Sequence, residues 1–423
     1  FWFVKTLLTC YNFSLFCKRY DHMFSQKELG GISIVAGTAI GASMLALPFA
    51  TGIAGFWTAV FALVSCYGFG LLTLFLFLEV TLYCEDPKAN IISMAQMHLG
   101  TFGEVITWIF YLLLLYTIST AYVVGAGQLL NNVTDKLDLG LSFSTCSILF
   151  TLIFGYVAFQ GVHILDKLNQ FLLASLFMSY LGLIINIGPM ISLSKLSGGD
   201  PSLIFKSLPT TIAAFCCHFV VPSLRKNFSD DLPCLKKMLF VGATIPLLTY
   251  IIYEFLIISV LPFDGEMGLL AISRSGNQLG MLLKALSTGD NTIFPLLMNI
   301  FQNCAILTSF LGVVLALSDF LQDGLNLKGN PYQKHITALL TLAPPLVAAL
   351  LIPANSPGFV LALDLSGLIV TFLFGILPVI MVWRARYVEK MQSAYVLPGG
   401  KAMLVFIAFL CTGVMYNVAT STF

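Results

Sequence analysis

Charge is what this chain lacks. Only 10% of its 423 residues are Asp, Glu, Lys or Arg, against 58% hydrophobic, and the mean hydropathy is +0.92. Soluble domains carry about 25% charged and 45–50% apolar residues, so a water-soluble fold is excluded and a bilayer is the expected solvent. Long polar connections are missing too. The longest between apolar runs is about 262–291, which leaves no room for a soluble catalytic domain, and no enzyme is expected. Metal-ligand spacing is also absent. Six of the ten cysteines (Cys66, Cys146, Cys216, Cys217, Cys304 and Cys411) fall inside apolar runs, where Cys behaves as a small apolar residue. No metal, cofactor or nucleic acid is expected, and the net charge of +1 says nothing about partners.

What is there is a series of apolar runs. About 20 helical residues cross roughly 30 Å of hydrocarbon, and eleven runs reach or approach that length. They cover about 32–53, 56–80, 105–130, 141–159, 168–190 and 208–224, then 238–261, 292–317, 336–352, 359–383 and 402–418. Lys and Arg resist transfer across the membrane, so their distribution orients the chain. Sixteen of the 21, among them Lys27, Lys167, Arg225, Lys237 and Arg386, fall on one side. The other five, Lys136, Lys195, Lys206, Arg274 and Lys284, fall on the opposite side. The N-terminus is therefore expected in the cytoplasm and the C-terminus outside. Residues 1–23 are expected to be an upstream extension, with Met23 as the natural start.

The first run contains "GTAIGASMLALP", Gly37 to Pro48, which is crowded with residues that weaken helices. A shift of 174 residues lays Leu47-Pro48 on Val221-Pro222 of "TTIAAFCCHFVVPSL" and brings Glu79 to within one residue of Glu254. Five runs separate the two copies. Because five is odd, the second enters the membrane from the opposite face. The expected organisation is a first five-helix repeat over 24–190, an inverted second repeat over 191–390, and an eleventh helix over 391–423. Such repeats with interrupted first helices suit a transporter whose halves rock around a site at mid-depth. If the small residues serve helix packing alone, the helices run continuous instead.

No Lys or Arg lies within any of the eleven runs. A break near Gly37 to Ala42 would expose N–H groups at the positive end of a half-helix dipole, a place for a carboxylate. A break near Phe215 to His218 would offer carbonyl oxygens to an amine, since backbone groups in a bilayer must find partners. Together they favour a zwitterionic amino acid. Met44, Phe215, Cys217, Tyr116, Tyr122 and Ser309 are expected as side walls. Glu79, Glu254, Asp319 and Asp364 have no basic neighbour within the runs, and acids of that kind suit proton coupling. Glu254 reads as the deepest and Asp364 as solvated near a helix end. His218, at the second weak segment, is a further candidate for binding or coupling.

The stretches "AGTAIGASMLALPFATGIAGF", "AAFCCHFVVPSLRKNF" and "TSFLGVVLALSDFLQDGL" together resemble the hydroxy and aromatic amino acid permeases, within the amino acid-polyamine-organocation superfamily. "MLALP" is closer to the tyrosine/tryptophan branch than to the serine/threonine branch. The resemblance covers residue 24 onward. It implies an all-α, LeuT-like fold of eleven transmembrane helices, with discontinuous helices 1 and 6 and one extra C-terminal helix. It also implies proton-driven import of aromatic amino acids across a bacterial inner membrane, with lipid, substrate and protons as partners. Carried over by position, it places Gly37, Thr38, Gly41 and Ala42 at the carboxylate, Phe215 and His218 at the second break, and Ser309 and Asp319 in the eighth span. Cys216 and Phe219 stand where the family usually has glycines. A serine/threonine or sodium-coupled transporter of the same fold is the main alternative. An intramembrane enzyme using His218 as base, or a passive channel, is the more distant one.

Overall fold

The computed structural model describes residues 25–422 apart from 87–88, 161, 229–230, 288–291, 326–332 and 354. The expected N-terminal extension lies outside them. The described residues form helices joined by turns and loops, with no strand among them, as the hydrocarbon demands of a chain that must satisfy its own backbone.

Helix α1 (Gln26–Ala39) starts from a capping box in which Ser25 and Glu28 exchange hydrogen bonds. It ends at Ile40, whose extended backbone (φ −73°, ψ 103°) leaves the helix. Gly41 is extended as well, and a 3-10 turn over Ala42–Ala46 leads into the short α2 (Leu47–Ala50) and a second turn at Gly52–Ala54. The two halves of this first span meet at 43°. The second weak segment breaks likewise. Helix α7 (Leu208–Ala214) stops at Phe215, Cys217 is non-helical, and α8 (Val221–Phe228) follows a 3-10 turn at His218–Val220. Pro48 and Pro222 each stand second in the restarting helix, where a missing N–H does no harm. Both expected breaks are present.

The remaining helices, in chain order, take up the other apolar runs. Between the breaks lie α3 (Phe56–Tyr83), α4 (Ile91–Lys136), α5 (Phe143–Ala158) and α6 (Val162–Asn186). After the second come α9 (Leu232–Ile258), α10 (Leu269–Arg274), α11 (Gln278–Leu286), α12 (Ile293–Gly324) and α13 (Gln333–Leu351). The last are α14 (Gly358–Thr371), α15 (Leu377–Trp383) and α16 (Gly400–Thr422). Helix α4 is kinked at Gly100, whose φ of 69° suits a residue without Cβ.

Among the described residues, nine helical stretches are long and apolar enough to cross a membrane, and the bent pair 26–39 and 42–54 makes a tenth. Helix α5 is apolar but shorter. Both broken segments sit inside the bundle, with α1 along α9, and α7 along α14. Two-thirds of the most apolar window of 201–228 is buried (67%), against 22% for 400–418, so the weak helices form the core and α16 the periphery.

One boundary differs from the apolar pattern. The stretch from α14 through α15 stays helical to Val388, past the Trp383 at which hydropathy falls, by way of two π turns. Arg384 and Arg386 are thereby drawn into a helix expected to hold no cation.

Candidate functional site

The first break interrupts the hydrogen-bond ladder at the point expected. Ile40 N–H reaches back to Ala36 O at 2.9 Å, and the next turn opens with Met44 N–H on Gly41 O at 3.2 Å. Ala42 N–H donates to Ser309 Oγ of α12 at 3.0 Å. A Cβ on Gly41 would lie 2.7 Å from that same oxygen, so glycine is what admits Ser309 to the break. The N–H assigned to a carboxylate is thus already held by a hydroxyl. Ser43 and Tyr122 of α4 line the same cavity as Ser309, so three hydroxyl-bearing residues stand near the break.

The carbonyls just ahead of both breaks are engaged. Ala39 O and Ala214 O, the last acceptors before each break, both lie 2.7 Å from the hydroxyl of Tyr250 on α9. Tyr250 is fully buried. Ala214 O precedes the Phe215 to His218 stretch whose carbonyls were expected to meet an amine. A phenol has one hydrogen and both partners only accept, so it is shared between them.

A cavity of about 440 Å³ opens between the two breaks. Gly37, Thr38, Gly41 and Ser309 line it, as expected, and so does Tyr122. From the second break it receives Ala213, Cys216 and Phe219. Apolar side chains from α4 (Leu114, Leu115 and Ile118) and Val313 of α12 complete its walls. The volume falls in the range of sites for small ligands, and the mix of apolar walls with a few hydroxyls is their usual composition.

Other expected site residues fall elsewhere. Met44 and Cys217 are buried without lining this cavity, and Tyr116 turns away to donate to Leu340 O at 2.8 Å. Phe215 and His218 line a separate pocket of about 10 Å³. There His218 Nε2 is 2.9 Å from Thr73 Oγ1 and the ring stacks on Phe374 at 4.9 Å, a packed and bonded histidine.

The acids separate into distinct situations. Glu79 is fully buried and its carboxylate is gripped by the Arg386 guanidinium, with further hydrogen bonds from Tyr83 Oη at 2.8 Å and Leu397 N–H at 2.8 Å. The expectation that it has no cation is overturned, because helical structure runs on past Trp383. Asp364 is half-buried rather than solvated, accepting from Thr210 N–H at 3.1 Å and Thr210 Oγ1 at 2.5 Å. Asp319 is exposed in a side pocket that also holds Gln322 and Lys334, apart from the cavity. Glu254 is fully buried, with Oε1 against the Thr51 hydroxyl and Oε2 unpartnered among the described residues.

The end of the first span is covered. Asp200 N–H donates to Ile53 O at 3.0 Å, and Gly55, at φ 89°, lies so close to Gly198 that a Cβ would meet its carbonyl oxygen at 2.7 Å. The Ser202 hydroxyl and N–H hold the Asp200 carboxyl below the usual range, so it stands ionised on that surface.

Sequence reasoning missed Ser33, Ser43, Tyr111, Asn169, Thr308 and Ser366 of the cavity wall. For two helices a signal existed. Thr308, Gly312 and Ala316, and likewise Tyr111, Leu115, Ile118 and Tyr122, recur at the spacing of one helix face.

Residues 24–419 match the tryptophan/tyrosine permease family. The chain is 33% identical over 390 residues to "Tyrosine-specific transport system 1" of Haemophilus influenzae, covering 91% of this chain and 94% of the other. It is 29% identical over 407 residues to "Tryptophan-specific transport protein" of Pseudomonas aeruginosa, covering 92% and 93%. In fold it is similar to the closed, bromovinylhydantoin-bound structure of Mhp1, a nucleobase-cation-symport-1 family transporter, with a TM-score of 0.58, 15% identity and 93% of each chain covered.

Proposed function

The chain belongs to the tryptophan/tyrosine permease family, and from that premise we propose that it imports tyrosine or tryptophan by proton symport with alternating access. The observation that carries the proposal is the cavity of about 440 Å³ into which both helix breaks open, walled by apolar side chains and bordered by the Ser43, Tyr122 and Ser309 hydroxyls. A zwitterion with an aromatic side chain matches that distribution. Its carboxylate meets the hydroxyl cluster and the half-helix that begins at Ala42, where the dipole favours an anion. Its ring lies among Leu114, Ile118, Val313 and Phe219.

In this proposal the eleven helices all span a bacterial inner membrane, as two inverted five-helix units and an added α16, with the N-terminus inside. The cavity runs from the breaks to Ser33 of α1, Tyr111 of α4 and Asn169 of α6. That is the side on which Lys27 and Lys167 fall, so this state opens toward the cytoplasm, while the 198–200 segment closes the other end. The coupling proton belongs to Glu254, the fully buried acid for which no ion pair is found among the described residues. Glu79, tied to Arg386, acts as a structural anchor instead.

The test is uptake of radiolabelled tyrosine and tryptophan into proteoliposomes, with all twenty amino acids as competitors. Accumulation should require an inward proton gradient and vanish with a protonophore. Accumulation that needs sodium and survives the protonophore refutes the coupling, and competition by serine or threonine alone refutes the substrate class.

A further inference from the structure

The Thr51 hydroxyl lies 2.8 Å from Leu47 O, which also accepts Thr51 N–H at 2.7 Å. The same hydroxyl donates to Glu254 Oε1, so its one hydrogen is shared between the carbonyl and the carboxyl group. Oε2 of Glu254 has no partner among the described residues and lies 3.2 Å from where a Cβ on Gly52 would stand. The backbone of the first span's second half thus covers an oxygen that, if charged, would be buried and unpaired.

We infer that Thr51 and Glu254 form a proton-dependent latch holding the second half of the first span, residues 47–54, against α9, with Thr51 as the positioning residue. The inference rests on the proton-symport proposal and deepens it. In the closed latch the carboxyl is neutral, and its Oε1 accepts from Thr51 Oγ1. When the O–H bond of Glu254 breaks, its proton passes to water and its electron pair stays on the carboxylate. Oε2 then needs water, which enters only if residues 47–54 lift away.

The other titratable or charged groups on the elements packed against α9 are engaged or distant. Glu28 pairs with Lys237 near the opposite end of α9, beside Lys27. Tyr67 is bonded to Thr244, Glu79 to Arg386, and Lys195 reaches Val260 O. Arg225 donates to the carbonyls of Thr81 and Cys84, beside Lys226, and Cys66 is buried within α3. Tyr253, next to Glu254 on α9 itself, packs on Phe301, and its buried hydroxyl has no partner among the described residues.

The test uses reconstituted full-length protein whose folding is confirmed by size-exclusion chromatography. Removing the hydroxyl that donates to Oε1, in Thr51→Val, should move the pH of half-maximal tyrosine uptake toward alkali by about one unit, the effect of one hydrogen bond on a protonation equilibrium. Thr51→Ser should restore the wild-type profile. Glu254→Gln, a neutral group that can still accept from Thr51, should lower the ratio of gradient-driven accumulation to exchange by about tenfold or more, or roughly 1.4 kcal/mol. An unmoved profile in Thr51→Val, equal shifts in the Val and Ser variants, or full accumulation in Glu254→Gln overturns the latch and leaves transport standing. Wild-type protein that accumulates nothing under the gradient overturns the proton-symport proposal and the latch with it.

Discussion

The hydroxyl of Tyr250 lies 2.7 Å from the carbonyl oxygen of Ala39, the last residue before the first helix break. It lies equally close to Ala214 O, before the second. One phenol on α9 therefore stands where the two discontinuous helices meet. Tyr250→Phe removes the donor and leaves two buried carbonyls short of a partner, which costs about 1–3 kcal/mol for an unmade bond. A lower melting temperature in detergent and a several-fold higher KM for uptake are expected. A variant with unchanged KM and stability would show the two breaks to be held independently of this residue.

Gly41 and Ser309 are coupled by space. A methyl group on Gly41 would press on Ser309 Oγ at 2.7 Å, whereas Ser309 Cβ is 3.9 Å away, an ordinary contact. Gly41→Ala should therefore raise KM by about tenfold, and Ser309→Ala in the same chain should recover part of that loss. Additive effects in the double-mutant cycle would mean that the two positions do not meet.

Glu79 and Arg386 form a buried pair that should tolerate loss of both charges better than loss of one. Arg386→Leu strands a buried carboxylate, and breaking such a pair costs about 3–5 kcal/mol. Folded yield and melting temperature should fall steeply in the single variant and recover in Glu79→Leu/Arg386→Leu. Equal destabilisation of the two would indicate that packing, not the unpaired charge, is responsible.

Phe219 narrows the cavity at a position exposed to it. Phe219→Ala should improve competition by tryptophan relative to tyrosine by several-fold, within the roughly 1–3 kcal/mol over which apolar pockets discriminate shape. Competition curves that shift together for both amino acids would place the ligand ring elsewhere.

Much of the fold was legible because its causes are local. The apolar runs lie mostly in helix, nine stretches and a bent pair being long enough to span among the described residues, since hydrocarbon leaves the backbone few other ways to satisfy itself. The breaks at Ile40–Gly41 and Phe215–Cys217 could be read from weak helix formers followed by Pro48 and Pro222. The site was legible only along α1, where Gly37, Thr38 and Gly41 face the cavity, and at Ser309. At the second break the right segment was found with the wrong side chains, because a broken helix loses the 3.6-residue period that tells which face is which. Cys216 and Phe219 turn into the cavity, while His218 turns to Thr73 and Phe374.

By itself the sequence determined a bilayer-embedded helical chain with two interrupted helices, since hydropathy and backbone propensity act over a few residues at a time. Only the tertiary structure decided which of the freed groups remain available. Ala42 N–H goes to a hydroxyl 267 positions away, Ala39 O to one 211 away, and Glu79 to an arginine 307 away. Such pairings are chosen by which helices pack together and at what depth, and no spacing within a single segment carries that information.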